Sequence, residues 1–105
     1  MTTRVLLADD EPNILLSLEY LMKREGYEVH VARSGTEALQ MLRQVRPALV
    51  LLDVMMPGLS GFDVCQELRA DETLRATRVL MLTAKGRDTE VAKGLGVGAD
   101  AYVTK

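Results

Sequence analysis

Five polar side chains stand out because each follows or closes an apolar run: Asp9 and Asp10 after Val5 to Ala8, Asp53 after Ala48 to Leu52, Thr83 after Val79 to Leu82, and Lys105 at the end of Ala101 to Lys105. Carboxylates brought together repel, so either one takes up a proton or a cation settles between them. Charge counting favours the cation, since three aspartates and one lysine leave two negative charges, which one divalent ion cancels. The donors on offer are oxygens, without a neighbouring Cys or His cluster, and that selects a hard ion such as Mg2+ over zinc. Magnesium keeps several waters and leaves positions for phosphate oxygens, which suits phosphoryl transfer, where positioning and charge neutralisation do most of the work. Asp53, the single acid ending its run, is the candidate nucleophile, and Asp9 with Asp10 forms a pair suited to holding metal. Thr83 would donate a hydrogen bond to a phosphoryl oxygen and Lys105 would pair with another.

These residues need a scaffold that brings separate chain segments to one edge. Apolar runs at Val5 to Asp9, Ala48 to Asp53, Val79 to Thr83 and Ala101 to Lys105, with a half-buried one at Tyr27 to Ala32, alternate with helical patterns. That is the pattern of an α/β chain with a parallel sheet covered on both faces. Helix one is predicted from the acidic start Asp10-Glu11 with Pro12 in its first turn. It presents Ile14, Leu18 and Met22 to the sheet and stops at Gly26. Helix two opens on Ser34-Gly35-Thr36-Glu37, read as a capping box, presents Ala38, Leu42 and Val45, and ends before Pro47. Val54 to Ser60 reads as a loop, after which Ser60 caps a helix carrying Val64 and Leu68. A fourth helix is predicted from about Asp88 to Leu95. Gly94, Gly96 and Gly98 follow a helix and precede a strand, the wrong order for a dinucleotide fingerprint, and read as a helix end with a turn. In such a sheet ligands bind at the carboxyl ends of the strands. If strands one and three are neighbours, as in the order 2-1-3-4-5, their ends lie about 4.8 Å apart and the carboxylates converge.

Composition bounds the rest. The chain has 105 residues, with 13 basic and 15 acidic side chains. One domain with its own core fits that length. The balanced charge argues against a nucleic-acid footprint on this domain and against a polybasic membrane arm. The longest apolar run stops at Asp53, short of the roughly 20 residues of a membrane span, and the start lacks a signal-peptide pattern. Cys65 is the only cysteine, so no intramolecular disulfide forms, and a reducing, cytoplasmic setting is the expectation. Cys65 reads as helix packing, His30 as a surface strand residue, and Met41, Met55, Met56 and Met81 as adaptable packing.

Leu7-Ala8-Asp9-Asp10-Glu11, Leu51-Leu52-Asp53-Val54-Met55-Met56-Pro57-Gly58, Leu82-Thr83-Ala84 and Ala101-Tyr102-Val103-Thr104-Lys105 together closely resemble the receiver domain of bacterial response regulators. The resemblance spans the chain and rests on four motifs in order. It implies a flavodoxin-like, doubly wound parallel five-stranded sheet that accepts a phosphoryl group on Asp53 from a histidine kinase or phosphotransfer protein, with Mg2+ bound. It also implies that Asp10 and Asp53 ligate the metal, that Asp9 assists through water, and that the backbone carbonyl of Met55 adds a ligand. Thr83, Ala84 and Lys105 would hold the phosphoryl oxygens. Thr83 and the ring of Tyr102 would move as a switch, and Met55 and Lys85 occupy positions that influence phosphoryl loss.

Family members continue past Lys105 with a proline and a fifth helix, and the chain is expected to be a receiver domain over residues 1–105, truncated before that helix. Right-handed crossovers then place helices two, three and four on one face and helix one alone on the other. Apolar strand residues between Val79 and Val103 would be exposed there, inviting self-association. Ending at Lys105 also puts a terminal carboxylate beside the site, which would weaken phosphorylation. Two other classes share these residues. An aspartyl-nucleophile magnesium phosphatase resembling the haloacid dehalogenase group wants an acid two residues after the nucleophile, where this chain has Met55. A receiver-like module that binds protein without phosphorylation would not need Asp53, Thr83 and Lys105 together.

Overall fold

The computed structural model describes residues 2–83 and 98–104. Its elements run β1 (Arg4–Ala8), α1 (Pro12–Arg24), β2 (Glu28–Ala32), α2 (Gly35–Val45), β3 (Leu49–Asp53), α3 (Gly61–Ala70), a 3-10 turn (Glu72–Leu74), β4 (Arg78–Thr83) and β5 (Ala101–Thr104). The strands form one parallel sheet in the order β2-β1-β3-β4-β5. This is the doubly wound, flavodoxin-like arrangement, in which the strand order reverses between β1 and β3 while all strands stay parallel. The fourth helix expected at Asp88 to Leu95, together with Ala84, Lys85, Gly94, Gly96 and Lys105, lies outside the described residues.

Alternation along the strands divides the core into two layers. Leu6, Ala8, Val50, Leu52, Val79 and Met81 point to the side covered by α2 and α3, where Ala38, Leu42, Val64, Cys65 and Leu68 meet them. Val5, Leu7, Leu51 and Leu82 pack on the α1 side around Leu15, with Leu18 and Met22 half-buried at its margin. Leu15, not Ile14, is therefore the deepest residue of α1. Ile14, the first member of the expected stripe, is half-buried outside that cluster, whereas Leu18 and Met22 pack on it beside Leu15.

The helix ends follow their residues. Pro12 occupies the first turn of α1, where its missing N–H costs nothing. At α2, Ser34 accepts from the Glu37 N–H (3.1 Å), which is the Ser half of the expected box. The reciprocal box is complete at α3, where Ser60 accepts from the Asp63 N–H and the Asp63 carboxylate accepts from the Ser60 N–H. Tyr27, expected in β2, lies outside the strand: its N–H donates to the Met22 carbonyl, closing the end of α1, and its side chain is exposed. The other described strand limits agree with expectation or differ by one residue. Arg4 and Arg78 join β1 and β4, and Ala48 and Asp9 fall just outside β3 and β1.

The anticipated exposure of the sheet on the α1 side is confined to its edge. Leu82 is buried against the α1 layer and Leu80 is half-buried, while Val103 on β5 is 45% exposed. Val79 and Met81 face the opposite layer and are buried.

Candidate metal and phosphoryl site

Strand register builds the site. Ala8 pairs with Leu52, so the next residues, Asp9 and Asp53, leave adjacent strands side by side. Both share the parity of Leu7 and Leu51. Asp53 in turn pairs with Leu82, which puts Thr83 one step beyond it on the next strand. Asp9, Asp10 and Asp53 each bring a carboxylate oxygen within 4.8 Å of the other two. Asp9 and Asp53 are 1% and 2% exposed, whereas Asp10 sits at the solvent mouth. Thr83 is buried at the end of β4. The rim thus holds an oxygen-only cluster, open on one side, that matches a hard divalent cation needing a few protein ligands and room for water.

Local bonds orient the carboxylates. Asp9 Oδ1 accepts from the Glu11 N–H at 2.9 Å, an Asx turn that swings the chain from β1 into α1 and leaves Asp10 at the rim. Asp53 Oδ1 accepts from the Met55 N–H at 3.4 Å. The Val54 N–H donates to the Leu82 carbonyl, tying the loop after β3 to β4. Gly61 is needed where α3 begins, since a Cβ there would stand 2.3 Å from the Asp53 carbonyl oxygen.

Of the residues singled out from sequence, Asp9, Asp10, Asp53 and Thr83 stand at the carboxyl rim of β1, β3 and β4. Ala84 and Lys105 lie outside the described residues. Tyr102 on β5 pairs in register with Met81 on β4 and is half-buried against the α2 and α3 layer. Met55 departs from the packing role expected of it: its side chain is 66% exposed, because the loop turns outward immediately after β3. Met56 and Met81 are buried and Met41 packs at the core margin, as adaptable fillers do. Cys65 is fully buried in α3, and burial pushes its thiol pKa up, in keeping with a packing role. His30 sits on β2 with its ring nitrogen 2.8 Å from the Glu28 carboxylate, away from the rim.

A second polar centre was not foreseen. Arg69 on α3 donates to the carbonyls of Gly98, Arg75 and Thr77 and to Asp100, and Asp100 also accepts from the Val79 N–H. Burial opposes ionisation of Asp100, but the Val79 N–H and the Arg69 guanidinium outweigh it and hold the carboxyl below the usual range. The sequence signal was an Arg in the last turn of a helix whose apolar face is buried, but its partner comes from far along the chain.

A profile of the response regulator receiver domain matches residues 5–105. The DNA-binding response regulator MtrA of Mycolicibacterium smegmatis is 44% identical over 105 residues, which is all of this chain and 45% of MtrA. The alkaline phosphatase synthesis transcriptional regulatory protein PhoP of Bacillus subtilis is 42% identical over the whole chain and 43% of its own length. The chain therefore spans less than half the length of the curated relatives it matches. Among solved structures, a putative response regulator from Chloroflexus aurantiacus superposes with a TM-score of 0.95 at 33% identity, covering 100% of this chain and 86% of that one. The chemotaxis response regulator CheY4 of Vibrio cholerae gives 0.93 at 30% identity, covering 100% and 88%.

Proposed function

The chain belongs to the response regulator receiver domain family, and from that premise we propose that it is a phosphorylation-dependent signalling switch with Asp53 as phosphoacceptor. The observation that carries this reading is the convergence of Asp9, Asp10 and Asp53 at the carboxyl rim of β1 and β3. Asp10 and Asp53, with the Met55 carbonyl and Asp9 through water, would hold Mg2+, which when bound neutralises the charge that gathers on the phosphoryl oxygens. The Asp53 carboxylate oxygen attacks the phosphorus of a phosphohistidine on a histidine kinase or phosphotransfer protein. The P–N bond breaks as the new O–P bond forms, and the imidazole nitrogen keeps the electron pair and takes up a proton. Thr83 donates its hydroxyl to one phosphoryl oxygen, the Ala84 N–H to another, and Lys105 pairs with a third. The move of Thr83 toward the new group, followed by the Tyr102 ring turning inward, transmits the state to the β4 and β5 face.

The domain works in the cytoplasm and assists its own phosphoryl gain and loss without turning over a separate substrate. No helix among the described residues is long and apolar enough to cross a membrane. In the whole protein, nucleic-acid contact would fall to another module, in keeping with the DNA-binding names of the longer relatives and the balanced charge of this one. Incubation with acetyl phosphate and Mg2+ tests the reading. An acid-stable, hydroxylamine-labile mass addition, lost in Asp53→Asn, is expected; multiple turnover of a phosphoester would favour an aspartyl phosphatase instead, and no addition at all would favour a phosphorylation-independent binding module.

A further inference from the structure

The acidic cluster comes from two separate pieces of chain, and one short segment that contributes no side chain to it touches both. At its start, the Ala32 carbonyl accepts from the Asp9 N–H at 3.1 Å. Three residues later, the Gly35 N–H donates to the Pro57 carbonyl at 3.1 Å, within the loop that follows Asp53 and Met55. The second contact is closer than any other residue type allows. A Cβ on Gly35 would lie 1.8 Å from the Leu59 carbonyl oxygen, a main-chain atom that cannot swing aside. The facing side is also close: Gly58 has φ +76°, and a Cβ there would stand 2.7 Å from the side-chain Oγ1 of Thr36. Gly35 occupies the first helical position of α2, a place where most residues are tolerated, so helix formation alone gives no reason for glycine.

We infer that residues 32–35 act as a brace that sets the gap between the Asp9-Asp10 turn and the Asp53-Met55 loop, with Gly35 as its positioning residue for cation binding. The inference rests on the metal reading of the cluster given above. Small cations demand near-ideal ligand geometry, and a loop pushed outward by one extra methyl group would carry the Met55 carbonyl away from the carboxylates while leaving every charge in place. The brace therefore tunes affinity without touching the ion, as outer-shell partners of metal ligands do.

The test is Mn2+ affinity, read from the paramagnetic resonance signal of the free ion, in the full chain with the folded fraction followed by circular dichroism. Gly35→Ala is expected to weaken Mn2+ binding roughly tenfold, while Leu74→Ala, a core truncation at the opposite edge of the sheet, lowers the melting temperature yet leaves affinity within about twofold. Wild-type affinity in folded Gly35→Ala, or an equal loss in Leu74→Ala, overturns the brace. Asp10→Asn separates the two readings. If it abolishes Mn2+ binding while Gly35→Ala does not weaken it, the brace alone fails; if the wild type binds no Mn2+, the metal reading fails and takes the brace with it. Should Gly35→Ala not fold, Gly58→Ala carries the same expectations, since its Cβ presses the same loop against Thr36, the residue next to Gly35.

Discussion

Removing one carboxylate from the rim should make the metal-free domain more stable, although the change deletes a residue of the proposed site. The three ligand oxygens lie within 4.8 Å of one another, so each pair of ionised groups repels by about 0.9 kcal/mol at a dielectric of ~80 and about 3.5 kcal/mol at ~20. Asp10 is the exposed member and takes part in two pairs, so the water-like figure applies and Asp10→Asn relieves about 2 kcal/mol. Against this stands the loss of a negative charge just before α1, which costs about 0.3–1 kcal/mol at a helix N-terminus. The net gain is about 1–1.5 kcal/mol, or ~5 °C in melting temperature for a domain of this size. Thermal unfolding in EDTA should show Asp10→Asn melting above the wild type, with the difference shrinking as salt is added. In millimolar Mg2+ the wild type should gain stability by mass action while the variant stays where it was. A metal-free variant that melts at or below the wild type, at low salt, would refute the idea that the cluster stores repulsion for a cation to relieve.

Three other outcomes are expected. Asp100, held below the usual carboxylate range by the Val79 N–H and Arg69 against the opposing effect of burial, adds stability that is fully present above the ordinary carboxylate pKa. That stability is lost as pH falls below it through the lowered folded-state value, so urea midpoints of Asp100→Asn should fall less steeply than wild type at the acid end. Ser60→Ala breaks the reciprocal cap at the start of α3 and should cost about 1 kcal/mol in denaturant unfolding, against a few tenths for Ser60→Gly. Leu16, Tyr20 and Val103 are exposed apolar side chains, and sedimentation at rising concentration should show self-association of this chain that weakens when Val103 is replaced by Ser; a monomer at every concentration contradicts it.

Much of this architecture was legible because the strands are nearly continuous apolar runs. Val50–Asp53 is buried throughout and Val79–Thr83 is buried except for the half-buried Leu80, so composition alone marks them, and the polar residue ending each run marks the rim. Ser34 and Ser60 announced their helices through chemistry that is local in the chain. Errors arose where long-range context decides. Tyr27 alternates correctly with Val29 and Val31, yet the closing turn of α1 captures its N–H. Met55 has the composition of a core residue, but the turn after β3 faces it outward. The convergence of Asp9 with Asp53 depended on β1 and β3 being neighbours, which spacing allows and does not dictate. The roles of Asp100 and Gly35 were hidden for the same reason: their partners, Arg69 and the loop at Pro57 to Leu59, are distant in sequence.

The lone thiol on α3 offers a timepiece for the interior of this molecule. Cys65 is the chain's only cysteine and has no exposed surface, so an alkylating reagent can reach it only when the layer between α3 and the sheet parts. Labelling of the intact domain, followed by mass, would therefore count openings of that layer one at a time, with no second sulfhydryl to confuse the record.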